Sequence, residues 1–402
     1  MTAQLTAPER AIDGRVEKPL DAHVVVLVNF VPPHQLPVLE EFAKRVRKLT
    51  VLISTPMDGN RSWGVEWGNL DVVVQRNFTW IRQWQIGNRL TEANYIHVPW
   101  DTIFRLKSLS PDVIISSQLG PRSILSTCYK LLAKRARLIL SLGLSEHTER
   151  GRSRARTFSR KWQMRRCECV LVNGRSGQRY VESLGVEPSR IFPCPYAASP
   201  IFFERGSAFR PPEIAHRLLY PGRFVEIKGV LPFLEVLRKW GEAHADRVVD
   251  IDFVGEGPLE RAIAEFPMPQ NVRIKVFGKA EYDELPAVYQ TRGILVLPTL
   301  LDEWAMVVNE ALASGMPVLG SRYAQAVEDL CIDGVNGWTF RPDVGNEMER
   351  ALDAAFATTC DELNAMRHAA RESVSDVTAQ SAAQVMFDAV EHALNGSHRS
   401  NP

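Results

Sequence analysis

Cysteine is scarce in this sequence, and its few copies follow no spacing pattern. The 402 residues include six cysteines, of which only Cys167 and Cys169 lie close together. This distribution matches neither a disulfide framework nor the ligand spacing of a zinc site. We therefore expect the protein to work in a reducing compartment.

Long hydrophobic runs are missing as well. No apolar run reaches the roughly 18 residues that a membrane-spanning helix needs, and the nearest candidate, 24–39, is interrupted by polar residues and prolines. Charged residues stand near the N-terminus, where the apolar core of a signal peptide would have to lie. These features favour a cytoplasmic protein, with any membrane contact peripheral.

The sequence also lacks an excess of charge of one sign. Lys and Arg total 48 and Asp and Glu total 47, which leaves a net charge of +1. Such a balance argues against a general nucleic-acid binder, so we expect no nucleic-acid partner. The content of 45% hydrophobic and 24% charged residues is ordinary for a globular protein, and the length suits two domains.

What the sequence does contain is an alternation of short apolar runs and helical patterns. In the first half the runs cover 23–29, 50–54, 70–75, 112–116, 137–142 and 169–173, with helices predicted near 36–48, 100–108, 121–135, 154–167 and 175–184. In the second half the runs cover 216–223, 248–257, 272–278, 293–298 and 317–321, with helices near 229–241, 258–265, 283–290, 306–314, 343–358 and 378–394. Near-continuous apolar strands that alternate with helices predict parallel sheets covered on both faces.

A proline-rich break near 192–213 divides the two blocks. The expected organisation is a loose N-terminus (1–20), a first Rossmann-like domain (21–195), a linker (196–213), a second Rossmann-like domain (214–375), and a C-terminal helix and tail (376–402). Ligands of doubly wound sheets bind outside the carboxyl ends of the strands, so the expected site is the cleft between the two domains.

The most informative segment is 301–321, which follows a predicted strand and opens a helix. The first residues of such a helix offer free backbone N–H groups to an anion. Asp302 and Glu310 bracket seven residues here. A favourable helix dipole explains acidic residues in a first turn, such as Asp302 and Glu303. It does not explain Glu310, which stands among apolar neighbours.

A basic pair forms the second signal. Arg223 and Lys228 lie between a predicted strand and the helix that Gly229 opens. A guanidinium and an ammonium at that point can stabilise the charge of a departing diphosphate without a metal ion. Asp250 and Asp252 spell D-x-D, a metal–diphosphate signature of another fold. They alternate along a strand, so at most one faces any site, and we expect no metal.

Together these segments resemble the retaining glycosyltransferases of family 4, whose GT-B fold places two Rossmann-like domains across a cleft. The resemblance covers roughly 215–345 well, and the first half by architecture only. It implies that Glu310 binds the ribose hydroxyls of a nucleotide-sugar donor, and that Asp302 contacts the donor sugar. Backbone N–H groups of Trp304, Ala305, Met306 and Val307 would meet the sugar and the diphosphate.

Two departures from the family pattern stand in this segment. Asp302 replaces the usual Glu, and Glu303 and Ala305 occupy positions that are often Gly. An alternative alignment uses Glu303 as the first acid, but Asp302 aligns with the following helix without a gap. Further along, Tyr323, Ala324 and Gln325 replace the common Gly-rich loop.

The resemblance extends to two other positions. Lys279, in the loop after a predicted strand, matches a place that often lies near the nucleobase. His147, in 143–152, follows the strand 137–142 at a position where family members often carry a histidine near the donor sugar. An ordinary surface histidine explains His147 equally well. The turn 333–338 resembles the family's D-G-x-N-G, and we interpret it as a tight turn.

The segment 150–166 is strongly basic with interleaved aromatic residues. It could bind nucleic acid, form a solvated helix face, or lie on an anionic membrane. We favour the membrane, with the cluster 44–48 adding to the same face, because family members that extend lipid-linked glycans often touch the membrane through their first domain.

The whole pattern predicts a retaining, metal-independent glycosyltransferase. It would move a sugar from a UDP- or GDP-sugar, with no further cofactor, to a hydroxyl of a glycan or lipid-linked glycan in polysaccharide biosynthesis. The alternatives are a sugar-nucleotide epimerase of the same fold and a non-catalytic protein that binds sugar nucleotides or glycans.

Overall fold

The computed structural model describes residues 19–58, 65–86 and 90–396. The predicted loose N-terminus (1–20) lies almost entirely outside these described residues. The other predicted elements can be compared with the structure.

The first domain is built on a parallel sheet of seven strands in the order β3-β2-β1-β6-β7-β8-β9. In chain order, its strands and a separate two-stranded hairpin are β1 (Leu20–Val28), β2 (Val46–Ile53), β3 (Asp71–Val74), β4 (Asn77–Ile86), β5 (Leu90–Pro99), β6 (Val113–Ser117), β7 (Arg137–Leu142), β8 (Cys169–Val172) and β9 (Ile191–Pro193). The antiparallel hairpin β4–β5 pairs with neither main sheet.

Helices cover both faces of this first sheet. They are α1 (Leu36–Ala43), α2 (Thr102–Leu109), α3 (Pro121–Leu132), α4 (Glu146–Glu149), α5 (Arg154–Met164) and α6 (Arg175–Ser183). Successive strand residues point to opposite faces. Val24 and Val26 therefore belong to one buried cluster, with Phe42 of α1. Val25 and Leu27 belong to the other, with Leu106 of α2.

The second domain repeats this design with six parallel strands in the order β12-β11-β10-β13-β14-β15. The strands are β10 (Leu218–Pro221), β11 (Val249–Val254), β12 (Val272–Phe277), β13 (Ile294–Leu297), β14 (Val318–Ser321) and β15 (Gly337–Phe340). The helices of the second half are α7 (Ile201–Glu204), α8 (Pro212–Ala215), α9 (Val230–Ala243), α10 (Glu260–Ala264), α11 (Leu285–Gln290), α12 (Met306–Ala313), α13 (Gln325–Leu330), α14 (Glu347–Ala357), α15 (Cys360–Glu372) and α16 (Ala379–Asn395).

The last helix leaves the second domain and returns to the first. Phe387 and Val390 of α16 join the buried cluster that contains Val24 and Leu39. The structure is thus the predicted α/β arrangement of two Rossmann-like domains, with a C-terminal helix that packs on the first one.

Every predicted strand is present, but some elements differ. The hairpin β4–β5, the short strands β9 and β15, and the helices α4, α7, α8, α13 and α15 were not predicted. The helix predicted over 36–48 ends at Ala43, because Val46 pairs with Leu20 at the start of β2. The turn predicted at 333–338 is confirmed, with Gly334 at a φ of 73°.

In each sheet the strand order reverses direction at one point. This switch lies between β1 and β6 in the first sheet, and between β10 and β13 in the second. Loops leave the sheet in opposite directions there and open a crevice beyond the carboxyl ends of the strands. Among the described residues, no helix combines the length and apolarity required to cross a bilayer.

Candidate functional site

The switch point of the second sheet brings the basic and acidic segments together. The loop after β10 carries Arg223 and Lys228, and the loop after β13 carries Asp302. The ammonium of Lys228 donates to the Asp302 carboxylate, and both side chains are mostly buried. A close backbone approach permits this, since a Cβ on Gly229 would lie 2.1 Å from the carbonyl oxygen of Pro298.

The loop that carries Asp302 is fixed by its own hydrogen bonds. Oδ1 of Asp302 accepts from the backbone N–H of Trp304 at 3.3 Å, and the N–H of Asp302 donates to the carbonyl of Tyr323 at 3.2 Å. The buried indole of Trp304 donates to Oδ1 of Asn309 at 2.7 Å. The first acid is therefore held in place before any ligand binds.

Ala305, just before α12, adopts a left-handed conformation with φ 78° and ψ 82°. This region is unfavourable for residues with a Cβ and favours glycine. Ala305 is one of the positions that are often Gly in the family pattern. The loop thus adopts the left-handed turn with an alanine in place of a glycine, which strains the backbone at Ala305. The helix α12 begins at the next residue, Met306.

Glu310 lies in α12 in a different environment from Asp302. Its side chain is buried, and its Oε2 accepts from the hydroxyl of Tyr289 at 2.9 Å. Burial raises the pKa of the Glu310 carboxyl to about 7, although the hydrogen bond from Tyr289 acts in the opposite direction. The two acids therefore differ. The carboxylate of Asp302 forms an ion pair, whereas the carboxyl of Glu310 is buried and has a raised pKa.

Lys279 follows β12, which lies two strands from β10 in the sheet. Its ammonium pairs with Glu281 at 3.1 Å. The structure places Lys279 at the carboxyl-end edge of the sheet, as its position after a strand predicts, but two strands away from the Lys228–Asp302 pair.

His147 lies in α4 of the first domain and faces the second domain. Its ring centroid is 4.4 Å from that of Tyr323, which follows β14. Burial, together with the nearby Arg150, lowers the pKa of His147, so the imidazole is neutral near pH 7. His147 and Tyr323 therefore meet across the boundary between the domains.

Gln325 makes several contacts across this boundary, and the sequence did not single it out as a site residue. Its side-chain NH₂ donates to the carbonyl of Leu144 at 2.7 Å, to that of Glu303 at 2.5 Å, and to Oδ1 of Asn173 at 3.2 Å. Its Oε1 accepts from the N–H of Gly177 at 2.8 Å. One buried amide thus connects the loop that leads to His147 with the loop that carries Asp302.

Two further bonds join the domains. Arg175 Nε donates to Asp329 Oδ1 at 2.8 Å, and Asn309 Nδ2 donates to the carbonyl of Tyr196 at 2.8 Å. Together with Gln325 they hold the two halves of the candidate site in one arrangement.

Comparison with known proteins gives a family match for the second domain. The sequence profile of the glycosyl transferases group 1 matches residues 215–357, which contain both the basic and the acidic segment. Over these residues the chain is similar to the glycosyl transferases group 1.

Curated relatives of the chain include proteins named as glycosyltransferases. An uncharacterized glycosyltransferase of Methanocaldococcus jannaschii is 28% identical over 139 residues, which are 33% of this chain and 36% of the relative. The alpha-D-kanosaminyltransferase of Streptomyces kanamyceticus is 25% identical over 202 residues, 46% of this chain and 50% of that one. This chain therefore aligns with between about a third and a half of these relatives.

Solved structures extend the likeness to both domains. The HepE protein of Anabaena in complex with UDP superposes with a TM-score of 0.68 at 14% identity, over 92% of this chain and all of that one. The apo form of the lipopolysaccharide outer core galactosyltransferase WaaB gives 0.66 at 12% identity, over 92% and 99%. At this identity the likeness shows the GT-B fold, which this chain shares over nearly its whole length.

The D-x-D residues of the chain are engaged with arginines. Asp252 is buried and pairs with Arg217 at 2.9 Å and Arg292 at 2.8 Å. Asp250 pairs with Arg273 at 2.7 Å on the other face of the strand. Both carboxylates stabilise the second sheet rather than meeting at one site.

Both basic segments carry exposed cations. In 44–48, each of Lys44, Arg45, Arg47 and Lys48 lies within 4.0 Å of a carboxylate. In the segment 150–166, Arg154, Lys161 and Arg165 are exposed, whereas Arg160 is buried and pairs with Glu149.

One feature of the sequence could have pointed to the interdomain contacts. The replacement of a Gly-rich loop by Tyr323, Ala324 and Gln325 adds two large side chains where the family has none. In the structure the first stacks on His147 and the third bridges the two domains.

Proposed function

We propose that this protein is a retaining, metal-independent glycosyltransferase that uses a nucleotide-sugar donor. The Lys228–Asp302 pair at the β10–β13 switch point, beside the start of α12, supports this proposal best. A diphosphate placed there would meet a cation on one side and the N-terminus of a helix on the other. The solved complex of HepE with UDP makes UDP the first nucleotide to test.

In this proposal each group of the second domain has a separate task. Arg223 and Lys228 neutralise the diphosphate, which gains negative charge as the bond to the sugar breaks. Asp302, together with the backbone of 304–307, contacts the sugar hydroxyls and the phosphates. Glu310, when ionised, accepts hydrogen bonds from the ribose hydroxyls.

The bond changes balance without a metal or another cofactor. The bond from the anomeric carbon to the donor phosphate breaks, and a bond from that carbon to the acceptor oxygen forms on the same face. The proton of the acceptor hydroxyl passes to the departing phosphate oxygen. The protein contributes orientation and charge stabilisation rather than a nucleophile.

We assign the acceptor to the first domain, with proposed bounds of 21–195, and the donor to the second domain, 214–375. His147 stands at the boundary, where a neutral imidazole can hydrogen-bond a sugar hydroxyl. The acceptor is a glycan or lipid-linked glycan of polysaccharide assembly. A lipid-linked acceptor agrees with a cytoplasmic protein that touches an anionic membrane through the exposed cations of α5.

A thermal-shift experiment tests the donor site. A ligand that binds only the native state raises the melting temperature by mass action. UDP, GDP, ADP and their glucose conjugates are each added with and without magnesium to the wild type, to Glu310→Gln and to Glu265→Gln, an exposed control. We expect one nucleotide to stabilise the wild type and the control without magnesium, and to stabilise Glu310→Gln much less.

Product analysis tests the reaction. With an acceptor present, the anomeric configuration of the product, read by NMR, should equal that of the donor. Stabilisation that requires magnesium would reject metal independence, and an inverted product would reject retention. Conversion of the donor without any acceptor would identify an epimerase instead. Stabilisation by none of the nucleotides would reject the donor site.

A further inference from the structure

A polar pocket of about 290 Å³ opens on the first domain, away from the cleft. It is lined by Arg137, Arg165, Glu168, Arg190 and His392, among others. Arg137 begins β7, and Arg190 directly precedes β9. The pocket therefore lies at the amino-end edge of the first sheet, whereas the candidate donor site lies beyond the carboxyl ends of the second.

The charge of this pocket is positive. Three guanidinium groups and one imidazole face a single carboxylate, that of Glu168. Glu168 is already engaged, since Lys130 pairs with its Oε1 at 2.6 Å and the N–H of Leu138 donates to its Oε2 at 2.7 Å. Arg137 also lies 3.9 Å from Oε1 of Glu168. The single carboxylate is thus shared by Lys130 and Arg137, and the positive charge that remains in excess can attract an anion.

One of these cations is held in place by the main chain. Arg190 Nε donates to the carbonyl of Glu168 at 2.8 Å, and its Nη2 donates to the carbonyl of Met164 at 3.1 Å. These bonds fix one edge of a planar guanidinium before a ligand arrives. A cation that is already ordered loses little side-chain entropy on binding, which favours a specific anion site.

The pocket continues into an exposed stripe on α5. Arg154, Phe158, Lys161 and Arg165 are spaced by four, three and four residues, so they share one side of the helix. All four are exposed, and Phe158 is 74% exposed. An aromatic residue among cations on one helix face suits the interface of an anionic bilayer.

The neighbouring helix adds an apolar contact. Leu132, near the end of α3, is 76% exposed. Lys130 of the same helix donates to the carbonyl of Arg166, which places the end of α3 beside the end of α5. Exposed apolar side chains thus flank the cations around the pocket.

We propose that this pocket binds a phosphate group, and that the stripe on α5 presents it to the headgroups of anionic phospholipids. Phosphate oxygens accept in-plane hydrogen bonds from guanidinium groups, as this arrangement of Arg137, Arg165 and Arg190 provides. The site is separate from the proposed donor site and does not depend on the activity assigned there.

Vesicle flotation tests the proposal with the full chain at 0.15 M salt. Vesicles of phosphatidylcholine are compared with vesicles that contain phosphatidylglycerol, using the wild type, Arg165→Ala and Arg154→Ala. Both variants remove one exposed cation from the same stripe, but only Arg165 lines the pocket. A cation that acts only by general attraction contributes about fivefold to binding of an anionic surface, whereas a lost hydrogen bond to a charged group costs about tenfold or more.

We expect the wild type to float with the anionic vesicles, Arg165→Ala to lose more than about tenfold in affinity, and Arg154→Ala to lose about fivefold or less. His392→Gln, a second pocket variant, should weaken binding in the same direction. Inorganic phosphate and glycerol phosphate form a second arm, followed by thermal shift. These anions could stabilise the wild type but not Arg165→Ala while no variant binds vesicles. That result would support the phosphate site and assign it to a free phosphate ligand instead of a lipid.

Two results would overturn the proposal. Equal losses in Arg165→Ala and Arg154→Ala would show general attraction without a pocket. The proposal would also fail if neither vesicles nor phosphates responded to Arg165. Circular dichroism of each variant confirms that the fold is retained. The vesicle and phosphate experiments use no nucleotide. Their results can therefore be interpreted even if the donor-site experiment fails.

Discussion

The two domains share one architecture, but they follow their relatives to different degrees. The group 1 profile matches 215–357, within the second domain, whereas the first domain is matched by fold. The second domain carries the ion pair, the strained loop and the buried acid. The first domain carries the hairpin β4–β5 and the basic helix α5. The family profile thus matches the domain that contains the proposed donor site, and not the domain proposed to bind the acceptor.

The placement of aromatic residues shows the same contrast. Tyr220, Phe224 and Phe253 form part of the core of the second domain. On the hairpin of the first domain, Phe78 and Trp80 are 64% and 56% exposed. Large exposed apolar groups mark interaction surfaces more often than they stabilise a fold. Changes in the second domain should therefore affect donor chemistry or stability, and changes in the first should affect partner binding.

The largest effect is expected from the basic pair. Arg223→Ala and Lys228→Ala each remove a group proposed to stabilise the departing diphosphate, so kcat should fall by at least about a hundredfold. Initial rates with a saturating donor measure this effect. Lys239→Ala, a 65% exposed position on α9, is the control and should keep its rate. Near-normal turnover in both Arg223→Ala and Lys228→Ala would show that this loop does not stabilise the departing diphosphate.

The next-largest effect tests whether activity requires Gln325 to hold the two domains together. Gln325→Ala leaves the carbonyls of Leu144 and Glu303 without this donor, and each loss of a buried partner costs about 1–3 kcal/mol. We expect kcat/KM to fall by roughly tenfold at temperatures where the fold is intact, as one such loss predicts.

Two matched variants sharpen that test. Gln325→Glu keeps the size of the side chain but loses its NH₂ donor, so it should behave like the alanine variant. Gln384→Ala, on the exposed side of α16, should be unchanged. Normal kcat/KM in Gln325→Glu would show that the amide does not position the two loops.

A third test uses pH. Burial raises the pKa of Glu310 from 4.5 to about 7, so between these pH values the carboxyl stays protonated in the folded protein but ionises in the unfolded chain. Its contribution to the free energy of unfolding should therefore fall as pH rises from about 4.5 to about 7. Nucleotide binding should change in the opposite direction, since the proposed ribose contact needs the ionised carboxylate.

Calorimetric titration with UDP from pH 5.5 to pH 8 measures this dependence. One pH unit below the pKa, only about a tenth of the protein carries the ionised group, so the apparent Kd should be about tenfold weaker. Glu310→Gln should bind weakly with a flat profile over the same range. A wild-type profile that is equally flat would contradict the proposed role of Glu310.

The smallest effect concerns the strained loop. Ala305→Gly relieves a left-handed conformation that costs a residue with a Cβ about 1–2 kcal/mol, but it also gives the unfolded chain more freedom. The net change in the free energy of unfolding should be a gain of up to about 1 kcal/mol. Denaturant unfolding measures it. Ala305→Val should be destabilised, and a loss of stability in the glycine variant would argue against strain at this position.

The periodicity of apolar residues along the chain predicted the main strands and most of the longer helices. The apolar runs identified every strand near the two switch points, and loops after β10 and β13 must meet because parallel strands end at one edge. The proximity of the loops that carry Lys228 and Asp302 follows from that rule, whereas their ion pair is seen only in the structure. The hairpin β4–β5 escaped prediction, because its polar and exposed residues give no buried run.

Other properties of the site could not be predicted from the order of residues along the chain. The sequence shows that Glu310 is acidic, but its raised pKa depends on burial beside Tyr289 of another helix. The pocket proposed to bind phosphate likewise collects its polar residues from the start of β7, the end of α5, the approach to β9 and the last turn of α16. No spacing along the chain predicts such a group.

The sequence by itself therefore determined the two Rossmann-like sheets and the charged loops at their edges, because strand and helix periodicity is local and loop position follows from strand order. Only the tertiary structure decided how the domains face each other. Gln325 meets Leu144 and Glu303, and His147 meets Tyr323, across chain separations of more than a hundred residues in two of these three contacts. Such contacts arise from the packing of whole surfaces, which no short stretch of sequence encodes.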